Sequence, residues 1–82
     1  MTLINEEIMG QTHYSFFSEV IIFDDSLITA YGISAMSAVP DDYYEVRGIT
    51  TDPETASKIY DAVIRNSVMP VHIKDVISDM IS

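Results

Sequence analysis

Eighty-two residues are enough for one domain and no more, and a domain of this size buries only roughly 60–65% of the surface its unfolded chain exposes, so its stability is small. Thirteen Asp and Glu against four Lys and Arg give a formal charge of −9, which repels phosphate backbones and anionic lipid but attracts basic protein surfaces. The absence of cysteine excludes disulfides, thiolate metal sites and cysteine nucleophiles, and the longest apolar runs, such as Val20-Ile21-Ile22-Phe23, are far below the ~20 residues that span a bilayer.

Met1 to Glu7 has no basic segment ahead of an apolar run, so no secretory leader is expected and the composition points to the cytoplasm. Residues 1–11 are weakly patterned and end at Gly10, which reads as a flexible arm or a short edge strand. From Thr12 to Phe23 the chain turns aromatic and β-branched, with Tyr14, Phe16, Val20 and Ile22 on one parity and His13, Ser15 and Glu19 on the other, the signature of a half-buried strand. Phe17, Ile21 and Phe23 break the alternation and predict either a bulge or a strand end covered on both faces. Asp24-Asp25-Ser26 carries turn chemistry, so a hairpin follows. The second strand runs from Leu27 to about Ala38, with Leu27, Tyr31 and Ile33 on one face and Gly32 marking a bulge or admitting a neighbouring ring. Val39-Pro40-Asp41-Asp42 is the next turn, and a third strand follows from Tyr43 to about Thr50.

At Thr51 the apolar period changes from that of a strand to that of a helix. Thr51-Asp52-Pro53-Glu54 has the form of a capping box with Thr51 as cap; Asp52 is the alternative cap, with Pro53 at the first helical position. Ala56, Ile59, Tyr60, Val63 and Ile64 form one apolar stripe, and Asp61 and Arg65 are spaced for a surface ion pair. Pro70 ends that helix around Asn66 to Met69 and suits the start of another, whose stripe is Ile73, Val76, Ile77, Met80 and Ile81. Two such short helices are weak alone and must lie on the sheet or on each other. Residues 12–82 are therefore expected to form a single α+β domain, a three-stranded antiparallel meander followed by a C-terminal helical hairpin (β-β-β-α-α).

The segment Asn66-Ser67-Val68-Met69-Pro70-Val71-His72-Ile73-Lys74-Asp75-Val76-Ile77, preceded by Gly48-Ile49-Thr50-Thr51-Asp52 and Thr29-Ala30-Tyr31-Gly32-Ile33, resembles a family of short clostridial proteins of unknown function. In that family a strand with a Tyr-Gly-Ile-like triplet precedes an Ile-Ser/Thr-Thr-Asp helix start and a Pro-Val-His-Leu/Ile helix. The resemblance spans roughly Tyr14 to Ile81 and implies the same sheet-plus-hairpin order and an intracellular bacterial or phage-borne origin. It carries no activity. The chain departs from the pattern in its sparsely charged middle strands and in the small-residue tract from Ser34 to Ala38.

Chemical motifs are scarce. His72, Asp75 and Asp79 fall at i, i+3 and i+7, a spacing that would line them along one side of a helix, but a divalent-ion site needs further ligands and the arrangement reads first as a solvated polar stripe. His13 and His72 have no nucleophile-elbow or zinc-protease context, and Gly10, Gly32 and Gly48 are isolated, so neither catalysis nor nucleotide binding is expected and no cofactor is implied. The aromatic residues lack the basic company of a nucleic-acid stacking platform.

What stands out is acidity: eight of the thirteen carboxylates precede Thr51, where Arg47 is the sole Lys or Arg. Asp24, Asp25, Asp41, Asp42, Tyr43, Tyr44 and Glu45 are the expected partner-binding residues, because tyrosine beside acid supplies both ring area and hydrogen bonds. The expected function is that of a small acidic, non-enzymatic interaction module that engages a basic protein surface. One form of it would inhibit a nucleic-acid-handling enzyme by imitating phosphate charge, as the composition, though no motif, resembles small phage inhibitors of the anti-CRISPR kind. A homodimeric structural or regulatory domain is the alternative.

Overall fold

The computed structural model describes residues 1–38 and 41–81, so Val39 and Pro40 of the expected turn lie outside the described residues. The element order is β1 (Thr2–Met9), β2 (Thr12–Phe23), β3 (Ser26–Ser37), β4 (Asp42–Thr50), α1 (Pro53–Arg65) and α2 (Pro70–Ile81). The strands form one antiparallel sheet in the order β1-β2-β3-β4. Sheet followed by helical hairpin agrees with the sequence reading, but there are four strands rather than three. The additional strand is β1, which pairs with β2 from Thr2↔Ser18 to Met9↔Thr12. Every residue of β1 is exposed, so no face of it was required to be apolar, and Glu6-Glu7 could occupy an edge strand without leaving an alternating pattern.

One face of the sheet carries both helices. Tyr14, Phe16, Ile33 and Ala35 form a buried cluster with Ala56, Ile59, Tyr60 and Val63 of α1 and Ile73 and Ile77 of α2. The Phe16 and Tyr60 rings stack with centroids 5.0 Å apart. Opposite residues of antiparallel strands share a face. His13, Ser15, Phe17, Glu19, Ser34, Met36, Tyr43, Glu45 and Arg47 therefore belong to the other face, on which no helix lies among the described residues.

Phe17 is buried on that open face because its cross-strand partner is Gly32, over which its ring lies. A Cβ at Gly32 would meet the Phe17 ring and the Val46 carbonyl, each at 2.5 Å. The β3–β4 register also shifts between Tyr31 and Ile33, where β4 accommodates extra residues by placing Gly48 at φ 63°. Both readings of Gly32 hold at once.

Helix α1 is capped by Asp52 rather than Thr51, with Pro53 at its first position. The Asp52 carboxylate accepts from the Thr55 amide at 3.2 Å and from the Thr55 hydroxyl, and these bonds, the hydroxyl's foremost, hold its pKa below the usual aspartate value. The helix ends in a Schellman motif without glycine: Ser67 takes φ 47°, its amide donates to Ile64, and the Val68 amide donates to Val63. Pro70 then opens α2. The turn between the helices is tied to the sheet by the Tyr14 hydroxyl, which donates to the Val68 carbonyl at 2.6 Å.

The strand end expected to be covered on both faces is bare on both. Strand β1 reaches only to Ser18, and β4 pairs with β3 only as far as Tyr31. Residues Glu19–Ala30 thus leave the sheet as a two-stranded ribbon, regularly paired from Glu19↔Ala30 to Phe23↔Ser26 with no bulge. Asp24 and Asp25, at φ 51° and 61°, form its tip, the pair of left-handed residues that a two-residue type I′ hairpin demands. The molecule is correspondingly long, 43 × 25 × 17 Å.

Candidate functional site

The seven residues singled out for partner binding do not assemble into one patch. Asp24 and Asp25 sit at the ribbon tip, whereas Asp41 to Glu45 lie at the other end of the twelve-residue strand β3, roughly 36 Å away along the strand. Within the second group the strand's alternation divides the two tyrosines. Tyr43 and Glu45 project on the open face, but Tyr44 turns to the helical face and packs against the core.

Tyr43 and Glu45 form a connected unit with Arg47. The Tyr43 hydroxyl donates to Glu45 at 2.9 Å, and Arg47 Nε donates to the same carboxylate at 3.1 Å while its Nη1 lies 3.9 Å from Glu19. Donation to Glu45 stabilises the protonated phenol, so the Tyr43 pKa is raised. Asp42 accepts from the Tyr43 amide at 2.9 Å. Near the β1–β2 turn, His13 Nε2 lies 3.0 Å from Glu6. Lys58 pairs with Glu54 and Arg65 with Asp61 on the outer side of α1. Three of the four cations are thus already engaged locally. Asp24, Asp25, Asp41 and Asp42 have no such partner among the described residues.

The profile of a family of unknown function, DUF6514, matches residues 3–82. The chain belongs to this family. No curated protein and no solved structure matches it. Membership in the DUF6514 family therefore brings no residue roles, and chemistry has to be read from the chain itself.

His72, Asp75 and Asp79 stand on exposed positions of α2, and among the described residues no group of three His, Asp or Glu is placed to hold a metal ion. No described helix is long and apolar enough to cross a membrane.

Two features escaped the sequence reading. The first is a groove of about 310 Å³ between β1 and α1, lined by Ile4, Asn5, Glu7, Phe16, Tyr60 and Asp61 among others. Tyr60 is 5% exposed, and its hydroxyl has no hydrogen-bond partner among the described residues. Burial, with the carboxylates of Glu7 and Glu6 adding to it, pushes that hydroxyl up to about 12. Its wall is β1, and the sequence leaves residues 1–11 open between an arm and a short edge strand, so the groove does not follow from the sequence. The second is the ribbon's apolar surface: Val20, Ile22, Phe23 and Leu27 are 64, 77, 66 and 74% exposed. A signal for it was present, since Val20-Ile21-Ile22-Phe23 is apolar on both parities in a hairpin longer than its neighbours.

Proposed function

We propose that this member of the DUF6514 family is an acidic, non-enzymatic interaction module that engages a basic protein surface. The observation that supports this reading most directly is the distribution of charge: the acid pairs at both ends of β3 have no counter-ion among the described residues, while Arg47, Lys58 and Arg65 are each held by carboxylates of the chain itself. Opposite charge at such positions steers encounter and fixes orientation more than it adds affinity. Two acidic ends on a rod 43 Å long suit an extended basic track, and the nucleic-acid channel of an enzyme is such a track. Inhibition of an enzyme of that class, in a bacterial or phage-infected cytoplasm, is the finer form of the proposal.

An oligolysine peptide serves as a probe of the basic surface. Its titration followed by amide resonances is expected to move Asp24, Asp25, Asp41 and Asp42 first, with affinity falling steeply as salt rises. Substitution of these four by Asn should weaken binding at least tenfold with the fold intact. Equal perturbation of Glu54, Asp75 and Asp79, or undiminished binding by the Asn variant, would remove the reading.

A further inference from the structure

Among the described residues Val20–Thr29 pairs only within the ribbon and lies outside the helix-covered cluster, yet Val20, Ile21, Ile22, Phe23, Leu27 and Ile28 are the side-chain types of a buried strand. Val20, Ile22 and Leu27 continue the helical face of the sheet past the point where the helices cover it, and Ile21 and Phe23 occupy the opposite side. A free two-stranded ribbon gains little stability from its own contacts in water, and apolar surface rimmed by polar groups marks a binding site.

We infer that this ribbon is a docking finger that inserts into an apolar groove of a protein partner, with Lys or Arg at the deep end of that groove facing Asp24 and Asp25. The inference rests on the reading that the partner is basic, and it specifies the part of the partner that charge alone leaves open. Charge also selects this occupant over two others. A second copy of the chain would bring another −9, and since its Arg47, Lys58 and Arg65 are already paired, it would offer the two tip carboxylates only the single Lys74 on α2. A bilayer would have to receive the two tip carboxylates before it received any apolar side chain, and charged groups at membrane depth are costly. A basic-ended protein groove satisfies both the apolar flanks and the acidic tip.

The test compares two peptide probes of equal charge, oligolysine and an amphipathic Leu–Lys peptide, by calorimetry and amide resonances. The amphipathic probe is expected to bind at least tenfold more tightly and to perturb residues 20–23 and 27–28. In the variant Ile22→Ser/Leu27→Ser this advantage should vanish while oligolysine binding stays as it was. A second variant, Asp24→Asn/Asp25→Gly, keeps the turn's left-handed geometry, removes both tip charges, and should weaken the amphipathic probe. An unchanged advantage in the first variant, or equal binding of a Leu–Glu peptide, would overturn the finger. So would concentration-dependent dimerisation, or binding to phosphatidylcholine vesicles, that the first variant abolishes. Failure of oligolysine alone would count against the charge reading and leave the apolar contrast measurable.

Discussion

Residues Thr12–Ser18 and Tyr31–Ser37 of the β2–β3 hairpin are flanked by β1 and β4 and backed by two helices, whereas Val20–Thr29 of the same hairpin has neither flanking strand nor helical cover among the described residues. The same residue types occur in both parts. Ile33 is buried and Ile22 is 77% exposed, although both stand on the face that carries the helices. A strand's apolar alternation therefore records which side chains share a face but not how far the covering layer extends. Coverage depends on elements that come later in the chain, here two helices of thirteen and twelve residues laid across the middle of a longer hairpin.

The largest effect that would sharpen this contrast is expected from Ile59→Ala, which empties a fully buried site under the sheet and should cost about 2–5 kcal/mol in urea unfolding. Gly32→Ala comes next, at about 1–3 kcal/mol, because the Phe17 ring can move but the Val46 carbonyl belongs to the neighbouring strand's backbone. At the other extreme, Ile22→Ala should change stability by less than ~0.5 kcal/mol, since it removes a side chain that is in water already. A cost near that of Ile59→Ala would mean that the ribbon is covered in solution and would dissolve the comparison.

The helix-backed region also carries a pH signature. Tyr60 has its pKa raised from 10.0 to about 12, so the folded state holds its proton more tightly than the unfolded chain does. The associated stability is complete below pH 10 and is lost as pH rises through about 12. Circular dichroism should accordingly show a steeper alkaline loss in the wild type than in Tyr60→Phe. The variant should be no less stable at neutral pH, because the hydroxyl it lacks has no partner among the described residues. Parallel alkaline profiles would show that this hydroxyl is not buried as described.

Much of the fold was legible because local rules and packing agree. The β2 boundaries, the Asp24-Asp25 turn and the Pro70 break all follow from residues whose backbone preferences match their places. For residues 1–11 the sequence leaves an arm and a short edge strand both open, because an edge strand exposed on both sides needs no alternation; the structure has the edge strand, β1. The candidate site was legible as charge but not as geometry: sequence proximity to turns grouped Asp24-Asp25 with Asp41-Asp42, whereas an antiparallel meander sends successive turns to opposite ends. Tyr43 and Tyr44, adjacent in sequence, are separated by the pleat, whose period of two sends neighbouring side chains to opposite faces of β4.

The meander has a temporal corollary. Each strand's first neighbour is the one synthesised just before it, so the sheet can assemble progressively through short-range pairing, a topology that favours rapid folding. The layer that shields Tyr14, Phe16 and Ile33 comes from α1 and α2, which emerge after all four strands. During that interval the nascent sheet displays a greasy flank wider than the mature ribbon, and the bond from Tyr14 to Val68 is among the contacts that close it.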